Sequence, residues 1–275
     1  MAAELPDIRS VRPDLETPPV TLGEPAPGKR VKQVASGYEG TDVYHTLYLP
    51  TDWRQGGRYP VIVEYAGNGG YRNQHGDICE GTVEGCNLGY GISGGRGFIW
   101  ICMPYVNTKD MRNETRWWGD VEATVAYCTT TVRRVCEAHA GDPSAVILTG
   151  FSRGAIACNY IGLHNDEIAG LWLAFVTHSN YDGVWKWQYP RSDRASARGR
   201  LERLKGRPVF VSQEVTVENI RRYLASTGVR APFTFQALPY RNHRDDWVLR
   251  DIPERKRLRE WLKRVLEDRR GATRP

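Results

Sequence analysis

An apolar run that leads straight into a glycine-flanked serine constrains the fold more than any other part of this sequence. The run is Ala145-Val-Ile-Leu-Thr149, the serine lies in Gly150-Phe-Ser-Arg-Gly154, and a helical pattern follows from Arg153 to about His164. Glycines on both sides of a serine let the chain turn sharply from strand to helix, which exposes the hydroxyl above the sheet. We therefore predict that Ser152 is a nucleophile at such a turn.

A second serine in the same pentapeptide pattern, Ser93 in Gly91-Ile-Ser-Gly-Gly95, lacks this context. A loop precedes it and an apolar run follows it, which is the reverse of the order that a nucleophile turn requires. We interpret this second match as a flexible glycine loop.

Short apolar runs alternate with helical patterns along the rest of the chain. Strands are predicted at 43–49, 60–65, 98–103, 145–149, 171–176, 208–212 and 233–238, and helices at 116–140, 153–164, 194–205, 217–226 and 253–268. Such alternation is typical of an α/β fold with a mainly parallel central sheet and helices on both faces. The proline-rich residues 1–30 are predicted to form an extended arm, and residues 31–275 a single domain.

The overall composition limits the classes of partner. With 40% apolar and 25% charged residues, the 275-residue chain suits a globular fold with a sizeable core. No apolar stretch approaches about 18 residues, so we expect no membrane-spanning segment. The net charge of +6 resides largely in residues 250–270. We interpret those residues as the solvated face of a helix, and we expect no nucleic-acid partner.

Six cysteines favour an oxidising compartment. Cys79 and Cys86 lie in one glycine-rich loop, where a local disulfide is possible, while the other four fit buried thiols equally well. No cysteine or histidine spacing suits zinc, so no metal is expected. The N-terminus lacks the pattern of a signal peptide. The compartment therefore stays open, with a secreted or periplasmic protein whose leader is absent from this sequence as the favoured interpretation.

A serine nucleophile needs a histidine to accept its proton. Among the six histidines only His243 lies late in the chain, after the last predicted strand and before the last helix, where this architecture supplies its base. We therefore predict His243 as the general base.

The acid that orients the histidine is less well defined by the sequence. Glu214 follows the predicted strand 208–212, which favours it, but Asp182 follows the preceding strand and is a competitor. Asp245 and Asp246 are too close to His243 along the chain to reach its far ring nitrogen. We predict Glu214 and keep Asp182 as the alternative.

The negative charge that develops on an attacked carbonyl needs backbone N–H donors. One donor is predicted at Arg153, the first residue of the helix after the serine. The other is predicted at Gly67 or Asn68, in a glycine-rich loop that follows the strand 60–65.

With these residues in place, the chain resembles the α/β-hydrolase superfamily over about residues 40–270. Gly150–Gly154 looks like the nucleophile elbow of that family, the loop 67–70 like its oxyanion loop, and His243 like its catalytic histidine. Within the superfamily the chain looks most like bacterial carboxylesterases of the acetylesterase and polysaccharide-esterase kind. The pair Ser152-Arg153 also resembles glucuronoyl esterases, although Phe151 replaces their cysteine.

The resemblance implies a serine carboxylesterase that acts on small-molecule or polysaccharide esters without a cofactor. The tryptophans in 116–120 and 184–189 either stack on a carbohydrate or aryl ester, as aromatic faces do, or cover the core. A peptidase or acyltransferase with the same triad, and a non-catalytic binding module, remain the alternatives. The oligomeric state is left open.

Overall fold

The chain forms one large twisted sheet with helices packed on it, as described for residues 5–272 by a computed structural model. The strands are β1 (Val20–Thr21), β2 (Arg30–Gln33), β3 (His45–Tyr48), β4 (Tyr59–Tyr65), β5 (Tyr71–Arg72), β6 (Ile78–Cys79), β7 (Ile99–Met103), β8 (Val106–Asn107), β9 (Arg112–Asn113), β10 (Gly141–Phe151), β11 (Ala174–His178), β12 (Val209–Glu214) and β13 (Phe233–Leu238). The helices are α1 (Leu88–Ser93), α2 (Val121–Ala138), α3 (Arg153–Tyr160), α4 (Asp166–Ala169), α5 (Arg194–Leu201), α6 (Glu218–Thr227) and α7 (Pro253–Ala272), with short 3₁₀ turns at Ile8–Ser10, Glu202–Leu204 and Asp246–Leu249.

Nine strands make the central sheet, in the order β1-β2-β3-β7-β4-β10-β11-β12-β13. From β7 to β13 every neighbouring pair is parallel, and β3 pairs antiparallel with both β2 and β7. The short pairs β5–β6 and β8–β9 form separate hairpin-like ribbons. The mainly parallel α/β sheet predicted from the sequence is thus confirmed.

Strand alternation divides the core into two layers, one on each face of the sheet. In β4, Val61 and Val63 pack on the face covered by α2, α3 and α6, whereas Ile62 packs on the face covered by α1 and α7. Both faces of the central strands are therefore buried, which explains why they are continuously apolar in the sequence. Because the strands run in parallel, their carboxyl ends meet at one edge of the sheet, where side chains from separate loops can converge.

The N-terminal residues lie against the body of the protein. Ile8 is buried, and its N–H donates to Asn242 Oδ1 at 2.8 Å. The Arg9 guanidinium donates to the His75 carbonyl at 2.5 Å, and β1 pairs with β2 at the edge of the sheet. The division into an arm and a single domain stays a prediction. Between residues 5 and 272 no helix is both long and apolar enough to cross a membrane.

Candidate active site

Ser152 lies at the tip of a sharp turn between β10 and α3. Its φ of 53° is in the left-handed region, which a residue with a side chain adopts at a cost of about 1–3 kcal/mol. The flanking glycines permit this turn because a Cβ on Gly150 would lie 2.2 Å from Gly154, and a Cβ on Gly154 would lie 1.9 Å from the Tyr65 carbonyl oxygen. The predicted nucleophile turn therefore has the geometry that its glycines imply.

His243 lies in the loop after β13, with its ring facing Ser152. The Ser152 hydroxyl donates to His243 Nε2 at 2.9 Å. The imidazole packs between Tyr71 and Phe151, whose ring centroids lie 4.7 and 4.8 Å from its own. The backbone of this loop is held by Asp77, a fully buried carboxylate that accepts the His243 N–H at 3.0 Å. Packing and hydrogen bonding thus fix both the ring and the backbone of His243.

Glu214, the last residue of β12, completes a hydrogen-bonded chain of three side chains. A carboxylate only accepts, so His243 Nδ1–H is the donor in the 2.7 Å contact with Glu214 Oε1. Burial alone would raise the pKa of Glu214, but the hydrogen bond and charge of His243 outweigh it and hold that pKa at about 2. The group is therefore ionised at neutral pH and able to stabilise a protonated His243.

Asp182, the alternative acid, lies elsewhere and is fully engaged. Its carboxylate accepts Arg200 Nε–H at 2.7 Å and Nη2–H at 3.1 Å in a buried ion pair beneath α5. It makes no hydrogen bond to His243 in the part of the chain that the structure describes. Of the two carboxylates, the structure brings only Glu214 to the histidine.

The three candidate residues for the two predicted oxyanion donors lie in the loop that follows β4 and at the start of α3. Over residues 5–272 the backbone N–H groups of Gly67, Asn68 and Arg153 donate to no protein acceptor, so they are available to a ligand. The Asn68 side chain accepts the Trp117 N–H at 2.8 Å, and the buried Arg153 guanidinium donates to the Trp117 carbonyl at 2.7 Å. The backbone of Trp117 thus ties the loop that follows β4 to the nucleophile turn.

Several aromatic residues of the segments 116–120 and 184–189 pack against one another. Trp117 contacts Trp187 and Tyr189 with ring centroids 5.2 and 5.1 Å apart, and the two tryptophans are partly exposed. A cavity of about 310 Å³ borders the turn on another side. It is lined by Ala66, Gly67, Ile78, Cys79, Glu80, Gly81, Thr82, Gly85, Cys86, Asn87, Phe151, Arg244 and Asp245.

The cysteines are all free thiols, Cys79 and Cys86 included. Cys86 instead lies beside Cys102 and Glu64, and the ligand atoms of these three residues are all within 4.8 Å of one another. This buried group is a poor cation site for two reasons. Glu64 already accepts three backbone N–H groups and the Trp100 indole N–H, and the Arg30 guanidinium lies 3.2 Å from Cys102 Sγ.

No protein-family model matches the sequence, and no curated protein is significantly similar to it in sequence. Solved structures match it in fold at low identity. A thermostable esterase superposes with a TM-score of 0.52 at 15% identity, over 86% of this chain and 62% of that one. The AtxE2 isopeptidase superposes with a TM-score of 0.53 at 16% identity, over 87% of this chain and 40% of that one. An acetyl ester-xyloside bifunctional hydrolase from Caldicellulosiruptor lactoaceticus superposes with a TM-score of 0.57 at 16% identity, over 89% of this chain and 98% of that one.

The sheet order, the turn at Ser152 and these superpositions define the class: the chain has the α/β-hydrolase fold. The structures that it resembles include esterases and a sugar hydrolase. The chain spans less than two thirds of the length of the thermostable esterase and of the isopeptidase. At such identities the likeness establishes the fold, and the particular activity has to be argued from the site.

Two residues beside the site, Asp77 and Ser179, were not predicted from the sequence, and a third, His178, was assigned no role there. Asp77 holds the His243 loop, and Ser179 donates a hydrogen bond to Glu214 Oε2. The position of His178 and Ser179 at the end of the strand predicted at 171–176 was a usable signal, because polar residues at that edge face the site. Asp77 lies in an irregular loop and carries no such signal.

Proposed function

We propose that this protein is a serine hydrolase of carboxylic esters. The observation that carries the proposal is the hydrogen-bonded chain from Ser152 Oγ through His243 to Glu214, set in an α/β-hydrolase fold. A hydroxyl, an imidazole and an ionised carboxylate joined in this order provide a nucleophile, a base and an orienting charge.

In this mechanism Ser152 Oγ attacks the ester carbonyl while His243 Nε2 takes its proton. Glu214 stabilises the imidazolium that forms and keeps Nε2 directed at the serine. The oxyanion accepts the N–H of Arg153 and of Gly67 or Asn68, where loss of one donor typically costs about 3 kcal/mol of transition-state stabilisation. His243 then protonates the leaving alcohol, and a water molecule activated by the same histidine releases the acid from Ser152.

The sequence expectation of a small-molecule or polysaccharide ester is kept as part of this proposal. Support comes from the cavity of about 310 Å³ beside Phe151 and from the partly exposed pair Trp117 and Trp187. A cavity of this size accommodates a short acyl group or one sugar ring better than a long acyl chain. The acetyl ester-xyloside hydrolase and the esterases that share the fold are in keeping with this substrate class.

A peptidase is the second candidate, because the AtxE2 isopeptidase shares the fold and amide hydrolysis can use the same three side chains. Acyl transfer to an alcohol is a variant of the ester mechanism in which the second nucleophile is not water. A non-catalytic binding module would not require the hydrogen-bonded order of Ser152, His243 and Glu214.

The test is hydrolysis of p-nitrophenyl esters from acetate to octanoate, with p-nitroanilides in parallel. The wild-type chain is compared with Ser152→Ala and with Ser93→Ala, a matched control that removes the serine of the second pentapeptide. We expect turnover of short esters that is lost in Ser152→Ala and kept in Ser93→Ala. Hydrolysis of the anilides faster than that of the esters would favour the peptidase. A wild-type chain that hydrolyses no ester and does not react with a fluorophosphonate, a reagent that labels nucleophilic serines, would contradict the proposal.

A further inference from the structure

Two consecutive residues at the end of β11, His178 and Ser179, contact all three segments of the proposed active site. The His178 carbonyl accepts the Ser152 N–H at 2.8 Å. The Ser179 hydroxyl donates to Glu214 Oε2. The His178 ring nitrogen Nε2 lies 2.8 Å from the carbonyl of Arg244, the residue after His243.

Ser179 makes the more direct of these contacts. Glu214 uses Oε1 to accept from His243 and Oε2 to accept from Ser179, so the two donors together fix the plane of the carboxylate. Ser179 is itself anchored, because its N–H donates to the Ser212 carbonyl at 2.9 Å. The hydroxyl is buried, so water does not compete for Glu214 from that side.

The protonation of His178 follows from its partners. A carbonyl only accepts, so Nε2–H donates to the Arg244 carbonyl and also lies 3.0 Å from Ser179 Oγ. Nδ1 then accepts the Ser212 hydroxyl at 3.0 Å. Burial lowers the pKa of His178 to about 4, in agreement with this neutral ring. His178 thus holds Ser179 and the backbone beside His243 at once.

The backbone of Ser179 adopts a conformation that costs free energy in a residue with a side chain. Its φ is 62°, a left-handed conformation that glycine adopts freely and serine does not. Such strain persists where the surrounding contacts determine it. At this position the strained conformation directs the hydroxyl at Glu214.

We propose, on the basis of the esterase function proposed above, that Ser179 is a positioning residue for Glu214 and that His178 holds Ser179 and the His243 loop in register. Neither residue touches the reacting atoms. Their effect passes through the orientation of Glu214 and therefore of the His243 ring.

Ser179→Gly is the sharpest test. Glycine suits the left-handed φ, so this variant removes the hydroxyl while relieving backbone strain, and it should fold at least as well as the wild type. A hydrogen bond to a charged acceptor corresponds to a fold-change of about 10 to 100. In Ser179→Gly we expect kcat for the preferred ester to fall by about that factor while KM changes less than about two-fold. Ser179→Ala should show the same fall in kcat with little change in KM, and Ser93→Ala should leave both constants unchanged.

A spectroscopic measurement separates positioning from general loss of structure. In protein with isotope-labelled histidine, the downfield proton resonance of His243 Nδ1–H reports its hydrogen bond to Glu214. We expect this resonance to shift or broaden in Ser179→Gly and to be unchanged in Ser93→Ala. His178→Gln, which keeps a terminal N–H donor, should retain more kcat than His178→Leu.

The outcomes are distinguishable. A wild-type chain that neither hydrolyses esters nor reacts with fluorophosphonate contradicts the proposed function, and this inference with it. An active wild type together with a Ser179→Gly variant of unchanged kcat and unchanged His243 resonance overturns the positioning role alone. Equal kcat values for His178→Gln and His178→Leu overturn the part assigned to His178.

Discussion

Removal of the Asp77 carboxylate should destabilise the protein and loosen the proposed active site together. Asp77 is fully buried, and its Oδ2 accepts the His243 N–H at 3.0 Å and the Asn73 side-chain N–H at 2.8 Å. Its Oδ1 accepts the Asn242 side-chain N–H at 2.9 Å. One side chain therefore joins the turn between β5 and β6 to the loop that carries His243.

The magnitude follows from these three hydrogen bonds. In Asp77→Ala all three donors lose their acceptor inside the protein. The Asn242 donor is buried and the other two are partly buried, so at about 1 kcal/mol for each hydrogen bond the loss is about 3 kcal/mol together. Asp77→Asn keeps one oxygen, which can serve the two donors now on Oδ2, so it should lose about 1 kcal/mol. We expect domains of ordinary stability, about 5–15 kcal/mol, to remain folded after either change.

Urea unfolding at neutral pH measures these differences, and ester hydrolysis at saturating substrate measures the effect on kcat. Asp110→Ala is the matched control, because Asp110 is a surface aspartate paired with Arg112 at 3.3 Å and should change stability by less than about 0.5 kcal/mol. We expect stability and kcat to fall in the order control, Asn, Ala. An Asp77→Ala variant within about 1 kcal/mol of the wild type, or no less stable than Asp77→Asn, would refute this reasoning.

Three further predictions concern the proposed triad, the turn at Ser152 and the partly buried carboxyl group of Asp245. Glu214→Gln should lower kcat by at least about 100-fold, because it removes the charge that stabilises the protonated histidine. Asp182→Asn should lower the urea midpoint of unfolding and leave kcat near the wild-type value. If steady-state kinetics show the reverse pattern, Asp182 rather than Glu214 is the acid of the triad. Gly154→Ala should lower the free energy of unfolding in urea by at least about 1 kcal/mol, since its Cβ would lie 1.9 Å from a carbonyl oxygen of β4. Gly199→Ala, with open space around the new Cβ, should not lower it. Equal stability of the two variants would argue against the tight turn. Burial, with the neighbouring Glu64 and Asp246 charges, raises the pKa of Asp245 to about 8, so the folded state holds this proton more tightly than the unfolded state does. The stability that protonated Asp245 contributes is complete below pH about 4 and is lost as the pH rises through about 8. The unfolding free energy of the wild type, relative to that of Asp245→Asn, should therefore fall by more than about 1.4 kcal/mol between pH about 5 and about 8. Parallel curves of unfolding free energy against pH for the two proteins would contradict this.

The central part of the fold could be predicted because local sequence signals and topology agree there. The runs that became β4, β7, β10, β11, β12 and β13 are short and apolar, and each is followed by a turn and a helical or loop segment. Boundaries were less well predicted. The helix expected over 116–140 begins only at Val121, because Asp120 caps it by accepting the Ala123 N–H at 3.0 Å.

The positions of Ser152 and His243 were accessible from the sequence because the fold fixes the order in which such residues follow its strands. The choice between Glu214 and Asp182 was not, since both follow parallel strands and both are carboxylates. What separates them is a distant residue, Arg200, that engages Asp182 in three dimensions. Asp77 contacts Asn242 and His243 across a long stretch of chain, and nothing in its local sequence indicates these partners. Ser179 has its position after a strand as a signal, but that position does not identify Glu214 as its partner.

The docking of residues 6–9 has a practical consequence for anyone who shortens this protein. The Pro6 carbonyl accepts the Arg241 N–H at 3.2 Å, Ile8 binds Asn242, and Arg9 binds the His75 carbonyl. The start of the chain thus joins the loop that carries His243 to the turn between β5 and β6. A truncation that removes residues 1–30, the arm suggested by the proline content, would leave β3 to β13 in place. It would remove the buried Ile8 and these contacts, so we expect the loop that carries His243 to be held less well.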